Sequence, residues 1–486
     1  MRITESMALQ VVAEECRNNL FYFVKTFWDV IIKEDPVYNW HIPYLCDELQ
    51  IVGEAIIKRQ EKPYDLIINI PPGTTKSTIV TIMFPVWLWT NDPSIRIISN
   101  SYSGALSVDH ATKSKDIIMS EKFQRLFPYV QIRKDKSGKQ NYENTQTGYR
   151  YATSTGATIT GFHGHVIIND DPVNPKQAES ESMRKIANDH TKTLSSRKVN
   201  KANTPIITIM QRLHQDDVTG YLLKNKGDKI KHINLPAEDC EDVEPSFLRQ
   251  RYVDGLLDPM RLNRNVLEEA KIDLGSRGYA GQYMQRPSAE GGNIVKEDWF
   301  KHISQQDFYA LRFNEPVHSF LDTAYDEKKA KTDNDPSGIL AACKIRGNIY
   351  IINAVQVWKS FPDLIKFLPE WMRSNYQDDR STLRIEPKAN GKSVVQELRA
   401  HSSLNVTEIK APTESKGERL HAVSPKIECG RVWIVDGDWN DAFIDEVCGF
   451  PQRSHDEFVD ILGYAINYFD NEEYDIPDNL DSMFNF

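Results

Sequence analysis

The 486-residue chain has only six cysteines, and Cys16, Cys46, Cys240, Cys343, Cys429 and Cys448 include no C-x-x-C pair. That spacing offers neither a zinc ligand set nor a disulfide framework, so a reducing cytoplasm is the expected compartment and secretion is not. Long hydrophobic runs are missing too. The most apolar N-terminal stretch, Leu20 to Ile32, is broken by Lys25 and Asp29. It falls short of the roughly 20 residues a membrane span needs and follows no basic signal-peptide head. It reads as a buried helix, with no membrane partner. An excess of positive charge is also absent, since 59 Lys and Arg face 69 Asp and Glu for a net −10. A histone-like binder is excluded, and nucleic-acid contact must use local basic patches. Glycine and proline, at 24 each beside 40% hydrophobic and 26% charged residues, show neither a fibrous nor a disordered bias, and there is no internal repeat. The length predicts two or three domains, at roughly 150 residues per domain.

In the first half, short β-branched runs at Asp65 to Ile70, Ile95 to Ser99, His165 to Asn169 and Pro205 to Met210 alternate with stretches of helical length. Such runs predict buried strands of a mostly parallel sheet covered on both faces. Residues 240–315 turn polar and helix-prone, ending in Arg286-Pro287-Ser288 and Gly291-Gly292, and read as a linking subdomain with a hinge. A second sheet then begins, with Ser319 to Ala324, Ser337 to Ile345 and Asn348 to Trp358, the last two joined at Arg346-Gly347 as a hairpin. A helix near Leu364 to Tyr376, a strand at Thr382 to Glu386 and a closing helix with Phe458, Ile461, Leu462, Ala465 and Phe469 on one stripe complete it. The acidic tail, 471–486, reads as disordered or as a docking peptide. The expected domains are 1–239, with an N-terminal helical segment, then 240–315 and 316–470.

The first strand runs into Pro71-Pro72-Gly73-Thr74-Thr75-Lys76-Ser77-Thr78 and a helix. A strand-loop-helix junction of this kind cradles phosphates on backbone N–H groups, with Lys76 on the β/γ oxygens and Ser77 on Mg²⁺. Gly73, Thr74, Thr75 and Thr78 complete the cradle, although Ile70 and Thr75 stand where a phosphate loop usually has glycine. The bland alternative is a polar loop that caps a helix. Some 90 residues later, Val166-Ile167-Ile168-Asn169-Asp170-Asp171 ends a strand in two acids. Asp170 is assigned to the metal and Asp171 to the attacking water, with Lys76 expected on the neighbouring strand. Gln211-Arg212 at the tip of the next strand is either a γ-phosphate sensor or a solvated strand end.

In the second sheet, Asp322 sits inside a strand, Glu386 ends a later one, and Asp456 and Asp460 lie four apart on the closing helix. Asp460 is read beyond the first turn, opposite the apolar stripe. Asp456 lies within a Ser454-to-Glu457 capping box and is either a ligand or a dipole partner. Three antiparallel strands, then helix, strand and closing helix, is the order of a ribonuclease-H-like nuclease. Acids gathered on one sheet edge suit two Mg²⁺ or Mn²⁺ ions, the hard cations of phosphodiester cleavage. Asp326 and Asp335 are read as loop acids with a secondary metal role at most. The basic groups Arg133-Lys134-Asp135-Lys136, Arg197-Lys198 and Lys328-Lys329-Ala330-Lys331 are candidates for tracking a phosphate backbone.

These motifs together resemble the large terminase subunit of tailed bacteriophages. The resemblance is carried by the Pro-Pro-Gly loop with Lys76-Ser77, Ser101-Tyr102-Ser103, Thr158 to Gly161, Asp170-Asp171-Pro172, Gln211-Arg212-Leu213-His214, Glu386-Pro387-Lys388-Ala389-Asn390-Gly391 and His455-Asp456-Glu457. It implies an α/β protein: a P-loop NTPase domain, a linker and a ribonuclease-H-like mixed-sheet nuclease domain. It also implies ATP and Mg²⁺ as cofactors, double-stranded DNA as substrate, a small terminase subunit and the capsid portal as partners, a ring on the portal, and work in the infected host's cytoplasm, transiently on the procapsid. Trp40, with His41, matches the family's adenine-contacting segment, or else packs in the core. No arginine lies in Thr158 to Phe162, so Arg150, Arg184, Arg197 and Arg212 remain candidates for the finger that completes a neighbour's site. Two rival functions share parts of this chemistry, a repair helicase fused to a nuclease and a degenerate nucleotide-binding scaffold.

Overall fold

Strands whose apolar residues run without a break need cover on both faces, and the chain supplies it with helices. The computed structural model describes residues 5–287, 293–323, 336–388, 391–412, 414–452 and 455–471. The expected hinge Gly291-Gly292, the acids Asp326 and Asp335, the lysines 328–331, Ser454 and the tail from 472 lie outside them. The chain divides into two units, one running to Lys271 and again from Ser276 to Glu290, the other comprising Ile272–Gly275 and everything from Gly291 on. The expected linking subdomain is therefore shared out: most of the helix Arg264–Gln282 falls in the first unit, and the helix Gln305–Arg312 in the second.

In the first unit the strands are β1 (Asp65–Asn69), β2 (Ile97–Ser101), β3 (Ile132–Ser137), β4 (Asn141–Asn144), β5 (Tyr149–Ser154), β6 (Val166–Asp170), β7 (Ile206–Met210) and β8 (Ile230–Asn234). They form one sheet in the order β3-β4-β5-β2-β6-β7-β1-β8, parallel from β5 to β8, with β3 and β4 antiparallel at one edge. β6 and β7 are buried at every residue, as their unbroken apolar sequences require. This order corrects two expectations. β7 lies between β6 and β1, so the strand that leads to Lys76 and the strand that ends in Asp170 are not neighbours. The edge hairpin β3-β4, with β5 and β8, is illegible in the sequence because these short strands carry polar residues without an apolar run; β3 exposes four of its six residues.

The second unit contributes β9 (Lys301–Ile303), β10 (His318–Asp322), β11 (Ser337–Ile345), β12 (Asn348–Val357), β13 (Leu383–Ile385), β14 (Val406–Glu408) and β15 (Val432–Val435), ordered β14-β13-β10-β11-β12-β15-β9. β10, β11 and β12 are antiparallel, while β13 runs parallel to β10 and β14 parallel to β13. This is the expected ribonuclease-H-like order, extended at one edge by β15 and β9. The β11–β12 turn has both central residues in the left-handed region, Arg346 at φ +49° and Gly347 at +83°, which matches the twist of a two-residue hairpin. The closing helix Glu457–Asn471 buries Phe458, Ile461, Leu462, Ala465 and Phe469, the stripe read from sequence. Asp322 is the last residue of its strand and not its middle, and Asp460 falls within the first turn of the closing helix and is buried.

Candidate functional site

The phosphate loop connects β1 to a helical segment that begins at Lys76 and continues as a π-helical turn, Thr78–Met83. Gly73 has φ +75° and open space where a Cβ would point, so nothing obstructs an approaching phosphate. Thr75, in the second glycine position, also adopts the left-handed region at φ +63°. A β-branched residue there stores on the order of 1–3 kcal/mol of strain. The left-handed turn that glycine would favour at this position is thus present although the glycine is not. Thr74 braces the loop by donating from Oγ1 to the Pro71 carbonyl at 2.8 Å.

Both acids after β6 face this loop. Ser77 Oγ donates to Asp170 Oδ1 at 3.1 Å and Thr81 Oγ1 to Oδ2 at 2.6 Å, while Lys76 Nζ stands 3.4 Å from Asp171 Oδ1. Asp171 is held at φ +41° by its own backbone, its N–H donating to the Ile209 carbonyl and its carbonyl accepting from Tyr102 N–H. Burial, then the Asp171 charge, push the Asp170 carboxyl up to about 7 against the opposing pull of Thr81, Lys76 and Ser77. A buried carboxylate this reluctant to ionise gains from a nearby cation. The residues therefore fit a nucleotide with its metal: an open loop, one buried lysine, a hydroxyl and two acids.

Around this centre the other assignments separate. Gln211 follows β7, between the loop and the acids, with its amide oxygen buried and unpartnered among the described residues. Trp40 packs, partly buried, against the core with its ring 5.7 Å from that of Tyr252. It is His41 that reaches the loop, with Nε2 3.2 Å from the Thr74 carbonyl and Nδ1 2.8 Å from Asn39 Nδ2. Thr74 and Asn39 fix its tautomer, protonated on Nε2. Arg150 and Arg184 are buried and spent on internal carbonyls, Arg150 on Thr81 and Arg184 on Ala178 and Glu179, so neither is a finger offered to a neighbour. Arg212 is bound to Asp217, which caps the helix Val218–Lys226. Arg197 alone of the four is partly exposed without a carboxylate partner among the described residues.

The second unit brings three carboxylates together. Asp322 ends β10, Glu386 directly follows β13, which pairs with β10, and Asp460 enters from the closing helix. Burial, then the charges of Asp460 and Glu386, push the Asp322 carboxyl up to about 8. Burial also opposes ionisation of Glu386, but Lys388 at 2.8 Å and the Asp322 carboxyl hold it below its ordinary range. The two carboxyls are thus pushed in opposite directions, with Asp322 the one that favours its proton. Glu386 is fixed by a close approach: a Cβ on Gly391 would come within 1.9 Å of its carbonyl oxygen. Asp460 is bound by Arg419 and, at 2.8 Å, by Lys416. Asp456 precedes the helix, is more exposed and pairs with Lys416.

Among the described residues, no group of three His, Cys, Asp or Glu is arranged to hold a metal ion as it stands. At Asp460 both carboxylate oxygens are occupied by cations. The donor set itself fits a hard divalent ion, since it offers three carboxylates, one of which burial and then its two acidic neighbours push up. Arg419 and Lys416 are not legible as site residues in the sequence. The available signal is two cations in the first turn of the helix Lys416–Glu428, where the macrodipole disfavours them. Thr81, His110 and Arg150, which surround Asp170 from behind, give no signal.

Residues 370–469 match the family model described as the Terminase RNaseH-like domain. No curated protein sequence matches the chain significantly. Among solved structures, the large terminase of a thermophilic bacteriophage is 12% identical, with 86% of this chain and 98% of that one covered at a TM-score of 0.48. The bacteriophage HK97 large terminase is 11% identical over 93% and 99%, at 0.38. The large terminase nuclease domain of bacteriophage SPP1, with bound Mn, is 13% identical over 36% and 99%, at 0.27. The resemblance read from the motifs therefore has a sequence match of its own in the second unit, over the segment that holds Glu386, Lys416, Arg419 and Asp460.

Proposed function

We propose that the chain is a DNA-packaging motor subunit of the large-terminase kind, whose first unit hydrolyses ATP to move double-stranded DNA and whose second unit cuts it. The observation that carries this reading is the pairing, in one chain, of a phosphate loop facing Asp170-Asp171 with a terminase-matching ribonuclease-H-like sheet that gathers Asp322, Glu386 and Asp460. Lys76 neutralises the β/γ-phosphates, and the loop N–H groups orient them. Asp171, pinned by its backbone beside Lys76, positions the water and takes its proton. Ser77 and Asp170 would hold Mg²⁺, and Asp322, Glu386 and Asp460 would hold Mg²⁺ or Mn²⁺. Such ions supply charge neutralisation and an acidified water. In the nuclease unit, Arg419 and Lys416 hold the Asp460 carboxylate in place, and Lys388 favours the ionised form of Glu386. The reading includes a small terminase subunit and the portal as partners, a ring on the portal and action in the infected host's cytoplasm.

The test is packaging. Purified protein, portal-bearing procapsids and linear duplex are mixed, and DNA protected from added DNase is measured. Protection that requires hydrolysable ATP is the expected result. Unwinding of a forked duplex without protection would select the helicase-nuclease instead, and absence of any ATP turnover would select the scaffold.

A further inference from the structure

At the end of the first unit's sheet opposite the phosphate loop lies an open cavity of about 1010 Å³. Asp65 begins β1 and lines it, whereas the loop follows that strand's other end, about 16 Å away at 3.3 Å per residue. Lys62, Lys198, Lys201, Lys224, Lys226 and Lys229 converge on it, and Lys192 adds a seventh ammonium already paired with Asp189. Asp65 is the sole acid of the lining among the described residues, and it is shared three ways. Its Oδ1 accepts from Lys62 at 2.6 Å and from the Ile206 N–H at 2.8 Å, with Lys198 at 3.5 Å. Lys201, Lys224, Lys226 and Lys229 have no carboxylate partner among the described residues.

Solvation of a helix end explains part of this. Lys224 and Lys226 close the helix Val218–Lys226, where the macrodipole favours cations. It does not explain Lys198, whose side chain is only 8% exposed beside the Lys62 ammonium. Lys201, Lys224, Lys226 and Lys229 are exposed, but ammonium groups gathered in one concavity around a nearly buried Lys198 repel one another until an anion offsets them. The contrast with the other basic run is direct: Arg133 and Lys136 are neutralised by Asp135 and Glu143 on β3 and β4.

We propose that this cavity seats the sugar-phosphate backbone of duplex DNA, held by the first unit through lysine charge without reading bases. The identity of the polyanion as DNA rests on the motor reading above. An ammonium array suits it because lysine meets phosphate as a point charge, with no demand for bidentate geometry or sequence. Arg197, half-buried and adjacent to Lys198 in the chain, adds to the local positive charge.

The test measures duplex binding by the full chain in EDTA, which prevents cutting, across a salt series. In K224Q/K226Q/K229Q the slope of log K against log salt should fall by about 0.9 for each phosphate that is no longer neutralised, so by about 2–3 in all. Affinity at low salt should drop at least tenfold. K198Q should lower the slope by about one. Binding of a fluorescent ATP analogue, unchanged in each variant, confirms that the unit is folded. Unchanged slopes in variants of a protein that binds DNA overturn the seat and leave the motor reading intact. A wild-type chain that binds no duplex overturns both. Loss of inorganic tripolyphosphate binding with unchanged duplex slopes assigns the cavity to a small anion and overturns the proposal.

Discussion

The two candidate centres meet the same electrostatic demand with different materials. Each contains a carboxyl that resists ionisation, Asp170 pushed up to about 7 and Asp322 to about 8. Around Asp170 the compensation comes mostly from neutral hydroxyls, Ser77 and Thr81, with the Lys76 ammonium close by on Asp171. Around the second cluster it comes from full charges, Lys416 and Arg419 on Asp460 and Lys388 on Glu386. Hydroxyls exchange partners at little cost, so the first centre stands ready for its ligand. Buried ion pairs do not, since breaking one leaves an uncompensated charge. The second centre accordingly has Asp460 already paired, and a divalent ion held there as proposed would have to compete with Lys416 and Arg419.

The largest expected effect separates the two centres completely. Lys76→Ala removes the ammonium that faces the phosphate-loop acids and should abolish ATP turnover, while metal-dependent cleavage of plasmid DNA persists. Asp322→Ala removes the carboxyl on which the charges of Glu386 and Asp460 converge and should abolish cleavage with ATPase activity intact. Both variants are assayed for both activities. Wild-type ATP turnover in Lys76→Ala would remove the phosphate-loop assignment, and cleavage by Asp322→Ala would remove the nuclease assignment.

This contrast also explains what is legible in the sequence. The first centre is written in contiguous residues, because a strand, a loop and a helix that follow one another must be neighbours in space. Lys76, Ser77 and the Asp170-Asp171 pair are therefore legible, and so are the strands that carry them. The second centre is assembled by topology: Asp322, Glu386 and Asp460 come from segments more than 60 residues apart in sequence, and only the strand order implies that they meet. Lys416 and Arg419 lie in a helix with no motif, and their role depends on a side-chain pairing that no periodicity encodes. The pattern misplaces Asp460 for a related reason. Its helix begins one residue after Asp456, which puts Asp460 in the first turn, and burial against Arg419 replaces the solvated face expected from the apolar stripe.

An intermediate effect tests whether the second centre depends on Asp460 in particular. Asp460→Ala leaves Arg419 and Lys416 without their buried partner and should destabilise the second unit by about 3–5 kcal/mol. It should also end cleavage. Asp456 is more exposed and shares Lys416, so Asp456→Ala should cost about 0.3–1 kcal/mol and leave cleavage measurable. Chemical denaturation and plasmid cleavage on both variants make the comparison. An inactive Asp456→Ala beside an active Asp460→Ala would move the third ligand to the residue before the helix.

The smallest effect concerns the support of the first centre, where neutral groups do the holding. Burial lowers the His41 imidazole to about 4, against the Thr74 carbonyl that favours its protonated form. Its folded value lies below the ordinary 6.5, so the neutral ring is what the fold prefers. The stability it contributes is fully present above about pH 6.5 and is lost as the pH falls toward 4. The local reason is Asn39, whose Nδ2 already donates to the Leu257 carbonyl and to His41 Nδ1, so a second ring proton would face a donor. At pH 5 the loss relative to pH 7.5 should be on the order of 2 kcal/mol, read as a fall in the calorimetric transition that ATP shifts upward. His41→Gln keeps a donor for Thr74 but cannot titrate, so its transition should lose about one proton's worth of pH slope over this window. Equal slopes in the wild type and His41→Gln would mean that the phosphate loop does not rest on a neutral histidine, and that the first centre, like the second, tolerates charge at its support.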